Sequence, residues 1–155
     1  MLSSLTGWPL WLVVAGGRTA DFYLLPKPTS ELRHVDTIVN EEANLREQDR
    51  VSDRPGRSFD SVGSGRHSME PATTQKRADE NRFAADLVSR IARGDNDNEF
   101  AQFAIIAAPR MLGAIRASLP APLRSKVRFE VPKDLSQSTT DQLRREIGEH
   151  LMPAG

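Results

Sequence analysis

Ala101-Gln102-Phe103-Ala104-Ile105-Ile106-Ala107-Ala108-Pro109-Arg110-Met111-Leu112-Gly113-Ala114-Ile115 is the stretch on which the fold turns. Residues 101–107 form an apolar run centred on Ile105 and Ile106, the pattern of a strand covered on both faces. Pro109 suits the first turn of a helix, where a missing N–H leaves no intrahelical bond unmade. Leu112, Ile115 and Leu119 supply that helix with a buried stripe, and Pro120 and Pro122 close it. Val127, Phe129 and Val131 then alternate with Arg128 and Glu130, as in a half-buried strand. Two strands joined by one helix are expected to lie parallel in a shared sheet.

Working back towards the start, Trp8 to Ala15 is a Val- and Leu-rich run, followed by Gly16-Gly17 and by Ala20-Asp21-Phe22-Tyr23-Leu24-Leu25. This predicts an antiparallel hairpin, with the glycine pair expected to supply positive φ at the turn. Pro26 and Pro28 end the second strand. A third is expected over Arg33–Val39, where His34, Asp36 and Val39 alternate only imperfectly against Val35, Thr37 and Ile38. Trp8 and Trp11 are three apart, so a strand sends them to opposite faces and forms no aromatic platform for RNA bases. A short helical turn is expected near Glu41–Glu47. From about Gln75 the chain reads as helix, with Phe83, Ala84, Leu87, Val88 and Ile91 on one stripe. Gly94 is expected to end it in a left-handed conformation, ahead of a polar turn at Asp95–Asn98. Thr139 and Gln142 form a capping box before a last helix with Leu143, Ile147 and Leu151 on its apolar stripe. The expected fold is α/β: a mixed five-stranded sheet flanked by helices, in the order β-β-β-α-β-α-β-α, with a long loop before the first main helix.

With 155 residues the chain is expected to form a single domain over 1–155, large enough to hold a core without staples. Mean hydropathy of −0.48 is polar for such a domain, and residues 41–73 account for it: serines, glycines and prolines with few apolar residues, read as a long and disordered loop within the domain. No cysteine is present, which excludes disulfides and thiolate metal sites. The formal charge of +0, from 21 basic and 21 acidic residues, provides no global field for nucleic acid or an anionic membrane, so such binding needs a local patch. Leu10–Ala15 lacks a preceding positive charge and is too short for a signal core or a bilayer span. No membrane association and a cytoplasmic location are therefore expected.

Five segments taken in order carry a family resemblance: Trp11-Leu12-Val13-Val14-Ala15, Asp53-Arg54-Pro55-Gly56-Arg57-Ser58-Phe59-Asp60, Asn81-Arg82-Phe83-Ala84, Ala107-Ala108-Pro109-Arg110-Met111-Leu112-Gly113 and Val131-Pro132-Lys133-Asp134-Leu135. Over nearly its whole length the chain resembles the bacterial host-attachment protein family. That family is similar to the middle domain of archaeal and eukaryotic peptide-chain release factors, which implies a ribonuclease-H-like fold. In release factors a glycine-rich loop carries a Gly-Gly-Gln tip into the ribosome. The matching stretch here, Ser61-Val62-Gly63-Ser64-Gly65-Arg66-His67-Ser68, keeps glycine but no following glutamine, so the resemblance implies RNA docking rather than peptidyl-tRNA hydrolysis. Many members carry Asp where this chain has Gly16, a carboxylate that a metal-dependent nuclease could use.

The candidate binding residues are Arg54, Arg57, Gly63, Gly65, Arg66, Arg110 and Lys133. Arg46, Arg50, Arg54, Arg57, Arg66, Lys76 and Arg77 are offset by Glu47, Asp49, Asp53, Asp60 and Glu70. Guanidinium forks suit phosphate, and glycine-flanked loops order on RNA; a solvated loop whose charges pair with one another is the alternative. Pro55-Gly56 presets a turn that presents Arg54 and Arg57. Arg110 and Lys133 each follow a strand, where α/β sheets hold ligands near helix N-termini. His67 beside Ser68 and Glu70 lacks the specified geometry of a catalytic triad, His34 and His150 read as structural or exposed, and no His pair has metal spacing. No catalytic residue, metal or cofactor is expected. The reading is a non-catalytic interaction module for RNA, the ribosome or a protein partner. The alternatives are a metal-dependent phosphoester hydrolase or nuclease, and a protein acting indirectly in attachment to host cells.

Overall fold

Why β1 (Leu10–Ala15) is apolar at every position is plain in the computed structural model, which describes residues 6–45 and 75–151. The strand lies at the centre of a five-stranded sheet ordered β3-β2-β1-β4-β5 and is covered on both sides. Its partners are β2 (Thr19–Leu25), antiparallel, and β4 (Gln102–Ala107), parallel. β3 (Arg33–Val39) pairs antiparallel with β2, and β5 (Val127–Val131) parallel with β4. The antiparallel opening and the parallel finish therefore stand as expected.

The pleat sorts side chains into two cores. Trp11, Val13 and Ala15 face one side with Phe22, Phe103 and Ile105. They pack against α1 (residues 75–96), through Phe83, Leu87 and Ile91, and against α2 (Pro109–Ser118), through Met111, Leu112 and Ile115. Leu10, Leu12 and Val14 face the other side with Tyr23, Leu25, Ala104, Ile106 and Val131, beneath Leu143, Ile147 and Leu151 of α4 (Thr140–Leu151). Trp8 packs on this second core and Trp11 in the first, on opposite sides as the spacing predicts. Burying each such large side chain contributes about 1.5–3 kcal/mol, and β1 contributes to both cores.

The capping box forms in full: Gln142 N–H donates to Thr139 Oγ1 at 3.1 Å, and Thr139 N–H donates to Gln142 Oε1 at 2.8 Å. Replacing Thr139 by alanine is expected to lower stability by about 1 kcal/mol, measured as a fall in the urea midpoint with unchanged slope.

Several local expectations are corrected. Gly94 does not end α1. The helix runs on through residue 96, and the left-handed residue is Asn98, with φ 57°. Glu99 N–H donates to Gly94 O at 2.8 Å and Asn98 N–H to Asp95 O at 3.1 Å, a Schellman closure. Gly94 is small for a different reason: a Cβ there would lie 2.5 Å from Trp11 Cη2. Gly16 and Gly17 make the hairpin turn without positive φ, and Gly16 is small because a Cβ would lie 2.5 Å from Ser136 Oγ. Pro120 and Pro122 do more than end α2, since they start a short α3 (Ala121–Arg124). In β3 the alternation breaks at a bulge: Phe22 faces Asp36 while Tyr23 faces His34, leaving Val35 as the extra residue. His34 therefore shares a face with Thr37, and not with Asp36 as strict alternation requires.

Candidate functional site at the carboxyl edge

Because β1, β4 and β5 run parallel, their carboxyl ends meet at one edge of the sheet. β1 ends in Ala15 and turns through Gly16-Gly17. β4 ends in Ala107 and passes directly into α2, and β5 ends in Val131 ahead of Pro132–Ser136. β3 points the same way and delivers Asn40 there. This buried side chain donates from Nδ2 to Gly17 O at 3.0 Å, while its backbone N–H donates to Arg18 O at 2.8 Å. Asn40 Oδ1 accepts from Ala43 N–H at 3.4 Å and caps the helical turn 41–45. The expected turn is thus present, and Asn40 fastens it to the hairpin.

The residues that follow, from 46 to 74, lie outside those described, and Arg54, Arg57, Gly63, Gly65 and Arg66 fall among them, as do Asp60, His67 and Glu70. The two roots of this segment are described, and both belong to the carboxyl edge. Arg82 of α1 reaches Glu42 of the helical turn at 3.4 Å, joining the outgoing and returning chain. Two residues earlier in α1, Glu80 accepts from Arg110 Nη at 2.9 Å.

Arg110 and Lys133 occupy this edge but turn to opposite layers. Arg110 binds Glu80 on the α1 side, in a groove of about 320 Å³ that it shares with Arg77, Asn81 and Gly113. Lys133 Nζ donates to Glu146 Oε2 of α4 at 2.9 Å. Both cations are half-exposed, so each pair is worth about 0–1 kcal/mol and can exchange partners. A larger groove, about 510 Å³, is lined by residues from α2 through β5, with Arg116 paired to Glu130. It is walled by Gly113, Ala117, Arg124 and Val127 rather than by the strand ends, so we place the site at the edge, where loops and helix termini meet.

No group of three or more His, Asp or Glu side chains suited to a metal ion occurs among the described residues. Asp134 accepts from the backbone N–H of Ser136 at 3.0 Å and from its Oγ at 2.6 Å, a closed local turn. Ser136 in turn fills the space beside Gly16, where the resemblance places a carboxylate in other members. Sequence reading missed two features. One is Asn40, whose position after a strand and before Glu41-Glu42 is a legible helix-start signal. The other is the trio Asp21, His34 and Thr37, which is visible only once the bulge in β3 is known. Among the described residues no helix is long and apolar enough to cross a membrane.

Comparison with known proteins completes the description. A family model described as "Protein required for attachment to host cells" matches residues 11–147. An uncharacterized protein of Rickettsia prowazekii (strain Madrid E) is 30% identical over 81 residues, covering 51% of this chain and 54% of its own length. The chain therefore spans about half the length of that relative.

Proposed function

The chain belongs to the family of proteins required for attachment to host cells, and we propose that it serves there as a non-catalytic module that contacts RNA on the ribosome. One observation carries this reading. The Arg- and Gly-bearing segment 46–74 is rooted at the carboxyl edge by the Glu42–Arg82 and Glu80–Arg110 contacts, beside the exposed cations Arg110 and Lys133. A phosphate backbone meeting Arg54, Arg57 and Arg66 would find Arg110 on the α1 side of this edge, with Lys133 on the opposite, α4 side. The mixed sheet, antiparallel at its start and parallel at its finish, supports the likeness to release-factor middle domains and to a ribonuclease-H-like arrangement. Without a glutamine after Gly65 the proposed role is docking and not ester cleavage. The protein is placed in the cytoplasm on this reading, and host attachment follows indirectly from its action on translation.

Sedimentation of the full chain with ribosomes across a salt series tests the proposal. Association is expected at low salt and should weaken as salt rises, since each phosphate contact on single-stranded RNA contributes about 0.7 to the log–log slope. Replacing Arg54, Arg57 and Arg66 together by alanine should flatten that slope by about 2. Replacing Arg110 and Lys133 should act less, because both must first leave Glu80 and Glu146. Absence of co-sedimentation at every salt concentration discards the RNA reading and leaves a protein partner.

A further inference from the structure

β5 closes one side of the sheet, and β4 is its only strand partner among the described residues. Phe103 N–H donates to Lys126 O at 3.0 Å. In a parallel ladder this turns the N–H and C=O of Val127 away from β4. The register then slips: Val127 faces Phe103 but Glu130 faces Ile105, so β5 carries one extra residue. The bulge overrides the strict alternation of the sequence pattern. It puts Glu130 on the α2 side with Val127 and sends Phe129 to the other core. Ile105 bonds towards β5 as Phe103 does, two residues along β4, so Glu130 also presents its backbone outwards. Two residues of β5 thus combine an outward backbone with a side chain on the α2 side.

We propose that this side of β5 takes an extended acidic segment of a partner protein, added as a sixth strand with every second side chain entering the neighbouring groove. Hydrogen-bonding capacity is the first argument. An edge strand offers a row of unpaired backbone groups. At the opposite edge β3 closes one of them on itself, since Thr37 N–H donates to Asp36 Oδ1 at 2.8 Å; β5 has no such block among the described residues. Position is the second argument. A strand added to β5 lies about 4.8 Å away, and its α2-side residues stand next to Val127 and Glu130. Those two border the groove of about 510 Å³ that Gly113, Arg116, Ala117 and Arg124 complete. The floor is low there, because a Cβ on Gly113 would meet nothing within 4 Å. Charge is the third argument and names the occupant. The groove holds two guanidiniums and one carboxylate. Arg116 gives Nε and one Nη to Glu130, and Arg124 gives one Nη to Leu119 O. The other Nη of Arg116, and Nε and the other Nη of Arg124, have no partner among the described residues. An incoming carboxylate meets these free forks, whereas an incoming ammonium meets only Glu130, already held by Arg116.

The test selects displayed random ten-residue peptides on the full chain and follows the enriched ones by ¹H–¹⁵N amide correlation. Enriched peptides are expected to carry Asp or Glu at every second position and to move the Val127 and Glu130 amide signals in one saturable step. Methylating alternate backbone nitrogens of such a peptide should abolish binding, because the added strand then loses its donors. Arg124→Ala should weaken binding about tenfold. Gly113→Leu fills the groove from an exposed helical position, so it should weaken binding about tenfold or more without lowering Tm. No enrichment, or enriched peptides without acidic residues, overturns the proposal. So does binding that survives methylation or leaves the Val127 and Glu130 signals unmoved. A single-stranded RNA oligonucleotide that moves those signals where no peptide does assigns the groove to phosphate and overturns it equally. The wild-type signals decide the matter even where a variant folds poorly, and none of these results bears on ribosome association through residues 46–74.

Discussion

Replacing Arg90 by alanine is expected to lower the free energy of unfolding by about 2–4 kcal/mol, whereas replacement by methionine should lower it by less than half as much. Arg90 projects from α1 into the first core and is almost wholly buried. Its Nε donates to Asp36 Oδ2 of β3 at 2.7 Å, and one Nη to Glu99 Oε1 at 3.5 Å. The guanidinium carbon lies 4.9 Å from the centroid of Trp11 and 6.0 Å from that of Phe22, a cation–π contact worth about 0.5–2 kcal/mol. The other Nη is buried with no hydrogen-bond partner, so the pairing is incomplete and an apolar chain of similar length removes an unmet donor along with the ion pair. Either replacement leaves Asp36 without its counterion, and alanine in addition opens a void above Trp11. Urea unfolding of both variants at neutral pH checks the contrast, and equal losses would show that the charge rather than the volume dominates.

The same pair predicts an acid limb. The hydrogen bond from Arg90, foremost, holds the Asp36 carboxyl below its ordinary range against the opposing effect of burial; Thr37 N–H and the charges of Arg90 and Arg93 add to the lowering. A carboxyl whose folded pKa is depressed stabilises the fold above its unfolded value, about 3.9, and that contribution disappears as pH falls through the lower folded value. The Arg90→Met variant should therefore lose less stability than wild type between pH 5 and the acid end of the transition. The Asp36 carboxylate is over a third exposed, so the difference is expected to be modest.

The second large effect concerns two helical glycines of opposite sign. Gly94→Ala is expected to destabilise by about 1–3 kcal/mol, because its Cβ would meet Trp11 Cη2 at 2.5 Å, Trp11 Cζ3 at 3.0 Å and Phe100 Cε2 at 3.1 Å. These rings cannot retreat. Trp11 stands edge-on to Phe22, with centroids 5.5 Å apart, and tilted on Phe100 at 4.7 Å. Gly113→Ala in α2 meets nothing within 4 Å and should stabilise by about 0.5–1 kcal/mol through helix propensity and a less flexible unfolded chain. Thermal unfolding of the two variants side by side checks both signs. A stabilised Gly94→Ala would mean that the Trp11 ring sits elsewhere.

Much of the fold was legible because the decisive residues carry period and punctuation together. Ile105, Ile106 and Pro109 mark a buried strand handed directly to a helix, and Thr139 with Gln142 marks a helix start through a reciprocal bond three residues apart. The candidate site was legible in part. Arg110 and Lys133 were placed correctly at a strand edge, but their partners Glu80 and Glu146 lie 30 and 13 residues away, and no local spacing announces such pairs.

Sequence by itself determined the five strands and the main helices, though not the short α3, that the opening hairpin is antiparallel and the closing pair parallel, and how the last helix begins. These are consequences of side-chain period and backbone sterics, which act over a few neighbouring residues. Tertiary structure alone decided that β1 sits between β2 and β4, that Gly16 and Gly94 are small to admit Ser136 and Trp11, and that a bulge at Val35 sends His34 to Asp21 and Asp36 to Arg90. Each depends on volume or register between segments distant in the chain, and a one-residue shift in a strand exchanges its faces without altering a letter of the sequence.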